Sequence, residues 1–138
     1  MTVLVDTPVW SLALRRARAP GGVIQRELIR LIEEGRAAII GPIRQELLSG
    51  VKERVQFEQL RQQLSAFPDL PLGTADYEAA ARDYNLCRAR GIQGSNTDFL
   101  LCAFAGRHKI AIFSTDRDFE RYARVLSIAL HVHRVEPD

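Results

Sequence analysis

Cysteine is nearly absent. Cys87 and Cys102 are the only two; they do not form a CxxC pair and both fall in helical patterns. That argues against a disulfide framework and predicts buried free thiols in a reducing, cytoplasmic setting. Long apolar runs are missing too. No stretch reaches the roughly 18 residues that suggest a membrane span, and the first residues lack the basic start and apolar run of a secretion signal. There is no internal repeat, low-complexity tract or Gly-rich dinucleotide loop, so a Rossmann-type cofactor enzyme finds no support. A strong excess of one charge is also lacking: the net charge of +2 permits a nucleic-acid partner but does not identify one. What remains is ordinary. Hydrophobic residues make up 46% and charged residues 26% of 138, which suits one soluble globular domain over 1–138 with a real core.

The chain opens on Val3, Leu4 and Val5, a short buried strand ending at Asp6. Thr7 offers an N-cap and Pro8 a pre-set first helical residue, so a helix begins at once. It carries Val9, Trp10, Leu12, Ala13 and Leu14 and breaks near Pro20 to Gly22. A second helix has Val23, Ile24, Leu28, Leu31 and Ile32 on one face and Arg26, Glu27, Arg30, Glu33 and Glu34 on the other, stopping at Gly35. Ala37 to Ile40 is a second strand. Helices follow from Pro42 to about Val51 and over 53–64. An extended connection carries a short edge strand at Leu70 to Leu72. Thr74 caps a helix that runs to about Arg90 and stops at Gly91. Ser95 or Asn96 starts the most apolar helix, Phe99 to Ala105. Ile110 to Phe113 is a third core strand, a short helix spans Phe119 to Ala123, and Leu126 to Val132 supplies a final strand. Strands alternating with helices predict an α/β fold, with a mostly parallel sheet covered by helices on both sides. The second and third helices are read as consecutive with no strand between them, which predicts a helical hairpin around Val23 to Leu64 projecting from the sheet.

Four acids stand out from the seventeen in the chain. Asp6 and Asp116 end core strands, Glu46 lies about one turn past a strand end, and Asp98 opens the apolar helix. In a parallel sheet the junctions at Asp6, Glu46 and Asp116 share one edge. Each acid also has a structural use. Asp6 suits a strand-to-helix turn, Ser95 with Asp98 and Thr115 with Asp118 have capping-box spacing, and Glu46 suits a boundary position with its head in water. Together they repel: two unit charges about 4 Å apart cost roughly 4 kcal/mol at an effective dielectric near 20. A hard cation such as Mg²⁺ or Mn²⁺ would offset that and suits phosphodiester cleavage.

VLVDTPVW, PIRQELLSG, GSNTDFLLCAFA and IFSTDRDFERYA, in that order, resemble the motifs of the PIN-domain ribonucleases, and more narrowly VapC-type toxins of bacterial toxin–antitoxin pairs. The resemblance covers essentially the whole chain. It implies a compact three-layer α/β/α domain, a Mg²⁺- or Mn²⁺-dependent endoribonuclease leaving 5′-phosphate and 3′-hydroxyl ends, a homodimer, and a cognate inhibitory antitoxin. It assigns Asp6, Glu46, Asp98 and Asp116 as the four acids. Asp6, Asp98 and Asp116 are then the metal ligands, and Glu46 orients or deprotonates the attacking water. Thr7 and Thr115 match supporting hydroxyls, and Asp118 a fifth acid that also reads as a cap. FLLCAFA departs from the alanine- and isoleucine-rich helix usual in the family, which alters packing and no proposed ligand.

Arg15, Arg16 and Arg18 are candidates for RNA phosphates, with a solvated helix end or an acidic antitoxin segment as alternatives; Arg88, Arg90 and Arg117 are lesser ones. His131 and His133 share one face if Leu130 to Val135 is a strand, and an edge-strand face explains them better than a metal site. Trp10 reads as core. A non-catalytic PIN-like module that binds RNA or protein is the alternative function. A response-regulator receiver would need an acidic pair near the first strand, and a haloacid-dehalogenase-like phosphatase Asp-x-Asp; Asp6, Thr7, Pro8 supplies neither.

Overall fold

The computed structural model describes residues 1–14 and 22–135. Val3, Leu4 and Val5 form β1 (Val3–Val5), at 0–1% exposure along its whole length. A strand buried on both faces needs apolar side chains at successive positions, and β1 is the central strand. β2 (Ala37–Ala38) pairs on one side and β3 (Ala111–Phe113) on the other, both parallel, in the order β2-β1-β3. Val3 lies opposite both Ala37 and Ala111, and Val5 opposite Phe113. The carboxyl ends of all three strands therefore share one edge. The chain leaves β1 for one neighbour and later passes to the other, so the crevice beyond β1 and β3 is a topological switch point, the usual ligand position in open α/β sheets.

Helices flank the sheet: α1 (Thr7–Leu14), α2 (Val23–Glu33), α3 (Gly41–Leu48), α4 (Arg54–Leu64), α5 (Thr74–Ala89), α6 (Asn96–His108) and α7 (Asp118–Tyr122). α6 is buried all along Phe99–Ala105, as a helix without a polar face must be. The expected second and third helices, α2 and α3, are separated by β2; α3, α4, α5 and α6 instead follow one another with no named strand between them, and Leu60 and Leu64 form the buried face of α4. Trp10 is fully buried, donates from Nε1 to the Val5 carbonyl at 3.0 Å and packs against Phe67, as a core residue. Cys87 and Cys102 are free and buried, and burial pushes both thiols up.

Several expectations need correction. The last strand shrinks to one parallel bridge, Ile112 to Leu130. In a three-residue strand between two neighbours, alternate residues face opposite sides, so only Ile112 points outward: its N–H donates to Ala129 and its carbonyl accepts from His131. The edge strand at 70–72 is likewise one bridge, Ile39 to Asp69; Pro71 has no N–H to extend it. Thr74 is the first residue of α5 and does not cap it. Gly73 precedes the helix, and its N–H donates to Asp76 at 2.9 Å. Glu27, expected on a solvated face, is fully buried, because the segment through His131 and Arg134 folds over α2.

Candidate active site

Asp6 is 5% exposed and follows β1 directly. Its carbonyl accepts from Val9 and Trp10, and its Oδ1 accepts from the Thr7 N–H at 2.8 Å, so Asp6 and not Thr7 caps α1. The Thr7 hydroxyl turns the other way and donates to Glu46 Oε1 at 2.9 Å. Pro42 in the first turn of α3 sets that helix going, and Glu46 comes one turn later on its exposed side. On the β3 side, Ser114 Oγ donates to Asp6 Oδ2 at 2.7 Å and accepts from the Asp116 N–H at 3.0 Å. Asp116 Oδ1 accepts from the Asp118 N–H at 2.9 Å, closing the turn into α7. Asp98 is half-buried at the start of α6. Ser95 caps that helix by accepting from the Asp98 N–H at 3.0 Å, and the carboxylate accepts from Tyr122 Oη at 2.7 Å.

Thr7 and Ser114 thus link Glu46, Asp6 and Asp116 by hydrogen bonds, and Asp98, held by Tyr122, lies near enough for its charge to act on Asp6. Their electrostatics agree. Burial pushes the Asp6 carboxyl up to about 6; the bonds from Ser114 and Thr7 oppose this, and the charges of Asp98 and Glu46 add to it. Burial also raises Asp98, against the Tyr122 and Ser95 bonds and with the Asp116 charge. Desolvation and the neighbouring Asp98 carboxylate raise the Tyr122 hydroxyl, which stays a proton donor.

Among the described residues, no three His, Cys, Asp or Glu side chains form a ready-made cage for an ion. The donor chemistry nevertheless fits a hard divalent cation: carboxylates only, mutually repelling, with burial pushing the Asp6 carboxyl up. Each Asp6 oxygen accepts one hydrogen bond and keeps a lone pair for a further partner.

The other expected contributors divide. Thr115 is exposed, and Ser114 fills the role foreseen for it. Asp118 is neither a cap nor free; its carboxylate pairs with Arg121. Arg15, Arg16 and Arg18 lie outside the described residues. Arg88 donates to Tyr84 Oη at 3.0 Å, Arg90 is exposed, and the Arg117 side chain is 90% exposed. His131 bonds to Glu27 at 2.6 Å. Sequence reasoning missed Ser114 and Tyr122. A hydroxyl two residues before Asp116, at a strand's carboxyl end, was a usable signal for Ser114. Tyr122, three residues after Phe119, looks like core, and nothing local reveals its hydroxyl's partner.

A family model for the PIN domain matches residues 3–125. The chain belongs to the PIN-domain family. Ribonuclease VapC11 of Mycobacterium tuberculosis and a VapC ribonuclease of Mycobacterium bovis are each 33% identical to this PIN protein over 130 residues, covering 91% of it and 95% of the relative. Among solved structures, VapBC2 from Rickettsia felis bound to a promoter DNA fragment matches with a TM-score of 0.77 at 16% identity, covering 95% of this chain and 98% of that one. FitAcB from Neisseria gonorrhoeae matches at 0.74 and 19%, covering 94% and 96%. These likenesses carry the PIN fold across the whole sheet and its helices.

Proposed function

We propose that this PIN protein is a metal-dependent endoribonuclease and the toxin of a type II toxin–antitoxin pair, working in the cytoplasm as a homodimer held in check by a cognate antitoxin. The observation that carries the reading is Asp6: a buried carboxylate at the switch point, hydrogen-bonded from Thr7 and Ser114 and flanked by the charges of Glu46 and Asp98. Ribonucleases among the relatives, and toxin–antitoxin complexes among the structural neighbours, support it.

Asp6, Asp98 and Asp116 would hold Mg²⁺ or Mn²⁺. Such an ion supplies charge neutralisation, polarisation of a phosphate and activation of water. Ser114 steadies Asp6 and Tyr122 steadies Asp98, so both carboxylates keep one orientation while RNA binds. Glu46, exposed and oriented by Thr7, takes the proton of the attacking water.

The test is cleavage of cellular RNA by purified protein with Mg²⁺ or Mn²⁺, followed by sequencing of the new 5′-ends. Wild type should produce discrete 5′-phosphate ends, and Asp6→Asn should lower the rate by at least a hundredfold. Near wild-type cleavage by Asp6→Asn would sink the assignment. A wild-type protein that binds RNA without cutting it would make this a binding module.

A further inference from the structure

Next to the acid site lies a smaller cavity of about 210 Å³. Ser114 and Asp116 line it, so it borders the acid site through Asp116. Phe113, Leu130, His131, His133, Arg117 and Glu120 are also among its lining residues. Its volume is below that of a drug-sized pocket and on the scale of a single nucleobase.

The segment that carries His131 and His133 is held in place. Glu27, fully buried in α2, accepts from Arg134 Nε at 3.0 Å and bonds His131 Nε2 at 2.6 Å. Glu34 adds Arg134 Nη1 at 2.8 Å, and the His131 N–H donates to the Ile112 carbonyl at 2.7 Å. His133 lies two residues after His131 and one before Arg134 in the same pinned segment; it is half-buried and forms no hydrogen bond or ion pair among the described residues. Among the described residues, the Arg117 side chain pairs with Glu120 alone, at 3.9 Å. An imidazole and a guanidinium thus stand beside an apolar slot that shares Asp116 with the site of phosphodiester attack.

Resting on the ribonuclease reading, we propose that this cavity is a nucleotide subsite for single-stranded RNA: the base adjoining the scissile bond enters between Phe113, Leu130 and His133, and Arg117 meets a flanking phosphate. Unstacked bases are recognised by ring faces and polar edges, and a guanidinium suits a phosphate. An antitoxin peptide is the competing occupant. Continuity with the acids, and a slot too small for a helix, favour the nucleotide.

The experiment compares the full chain with a His133→Ala/Arg117→Ala double variant. Binding of fluorescent ten-nucleotide single-stranded RNA is measured by anisotropy in an Asp6→Asn background, and cleavage in the native background. The double variant should bind about tenfold more weakly, show a salt slope shallower by about 0.7 for the lost phosphate contact, and shift cleavage preference at the base next to the cut. Its melting temperature and its stabilisation by Mn²⁺ should stay at the parent values. Unchanged affinity, slope and preference, with cleavage intact in the wild type, would overturn the subsite alone. A wild type that neither binds nor cuts RNA would overturn the ribonuclease reading as well. A double variant that cuts normally but escapes the antitoxin would assign the cavity to the protein partner.

Discussion

Asp6 and Glu27 are both buried carboxylates, and their surroundings push them in opposite directions. Burial pushes Asp6 up to about 6, against two hydrogen bonds and with the charges of Asp98 and Glu46. Burial raises Glu27 too, but bonds from His131 and Arg134 overcome it and hold the carboxyl down at about 2. The consequences for stability have opposite signs. The folded protein holds the Asp6 proton more tightly than the unfolded chain does, so its contribution is fully present below about pH 4 and is lost as pH rises through about 6. In metal-free protein at pH 7, Asp6→Asn should therefore raise stability by about 1–2 kcal/mol, measured by urea unfolding, while cleavage disappears. Glu27 works the other way. Its contribution of about 3 kcal/mol is present above about pH 4.5 and lost as pH falls toward 2, so Glu27→Gln should flatten the acid limb of the unfolding profile. The sequence reveals Asp6 because a carboxylate at the end of a three-residue apolar strand is out of place. It hides Glu27, because partners more than 100 residues away decide its burial. Thr7 was legible as a helix-entry residue but not as a donor to Glu46, since a hydroxyl's direction depends on which helix arrives beside it.

At the scale of elements, α6, α7 and the loop before α6 form one unit around Tyr122. A Cβ on Gly94 would collide with the Tyr122 hydroxyl and come within 2.8 Å of Cζ. Gly94→Ala should therefore cost about 1–3 kcal/mol through overpacking and displace Tyr122 from Asp98. Tyr122→Phe removes only the hydroxyl. It should leave the fold near parental stability while weakening Mn²⁺ binding several-fold, read by calorimetric titration. Equal losses of stability in both variants would mean that Tyr122 serves packing alone. The strands that the sequence made plain are those with apolar runs at the centre of the sheet. The outer ones were overcalled: alternation over Leu126–Val132 describes a half-buried segment well enough, but ladder length is set by the partner strand, and β3 offers one outward residue.

For the whole molecule, the sheet order β2-β1-β3 gathers residues 6, 46, 98 and 116 from four separate segments. Mn²⁺ at a hundredfold excess over its dissociation constant should stabilise the protein by about 2.7 kcal/mol, seen as a rise in melting temperature absent from Asp6→Asn. No shift at millimolar metal would contradict the proposed ligands. Family membership and the parallel sheet were legible because four motifs occur in order at strand and helix ends. The choice of RNA was not, because single-stranded bases are recognised by cavities assembled from distant segments.

The bond from Ser114 to Asp6 spans 108 positions of chain. Synthesis proceeds from the N-terminus, so Asp6 leaves the ribosome long before Ser114 exists to hold it. The acid cluster is thus incomplete on the nascent chain until the segment carrying Ser114 and Asp116 has been made.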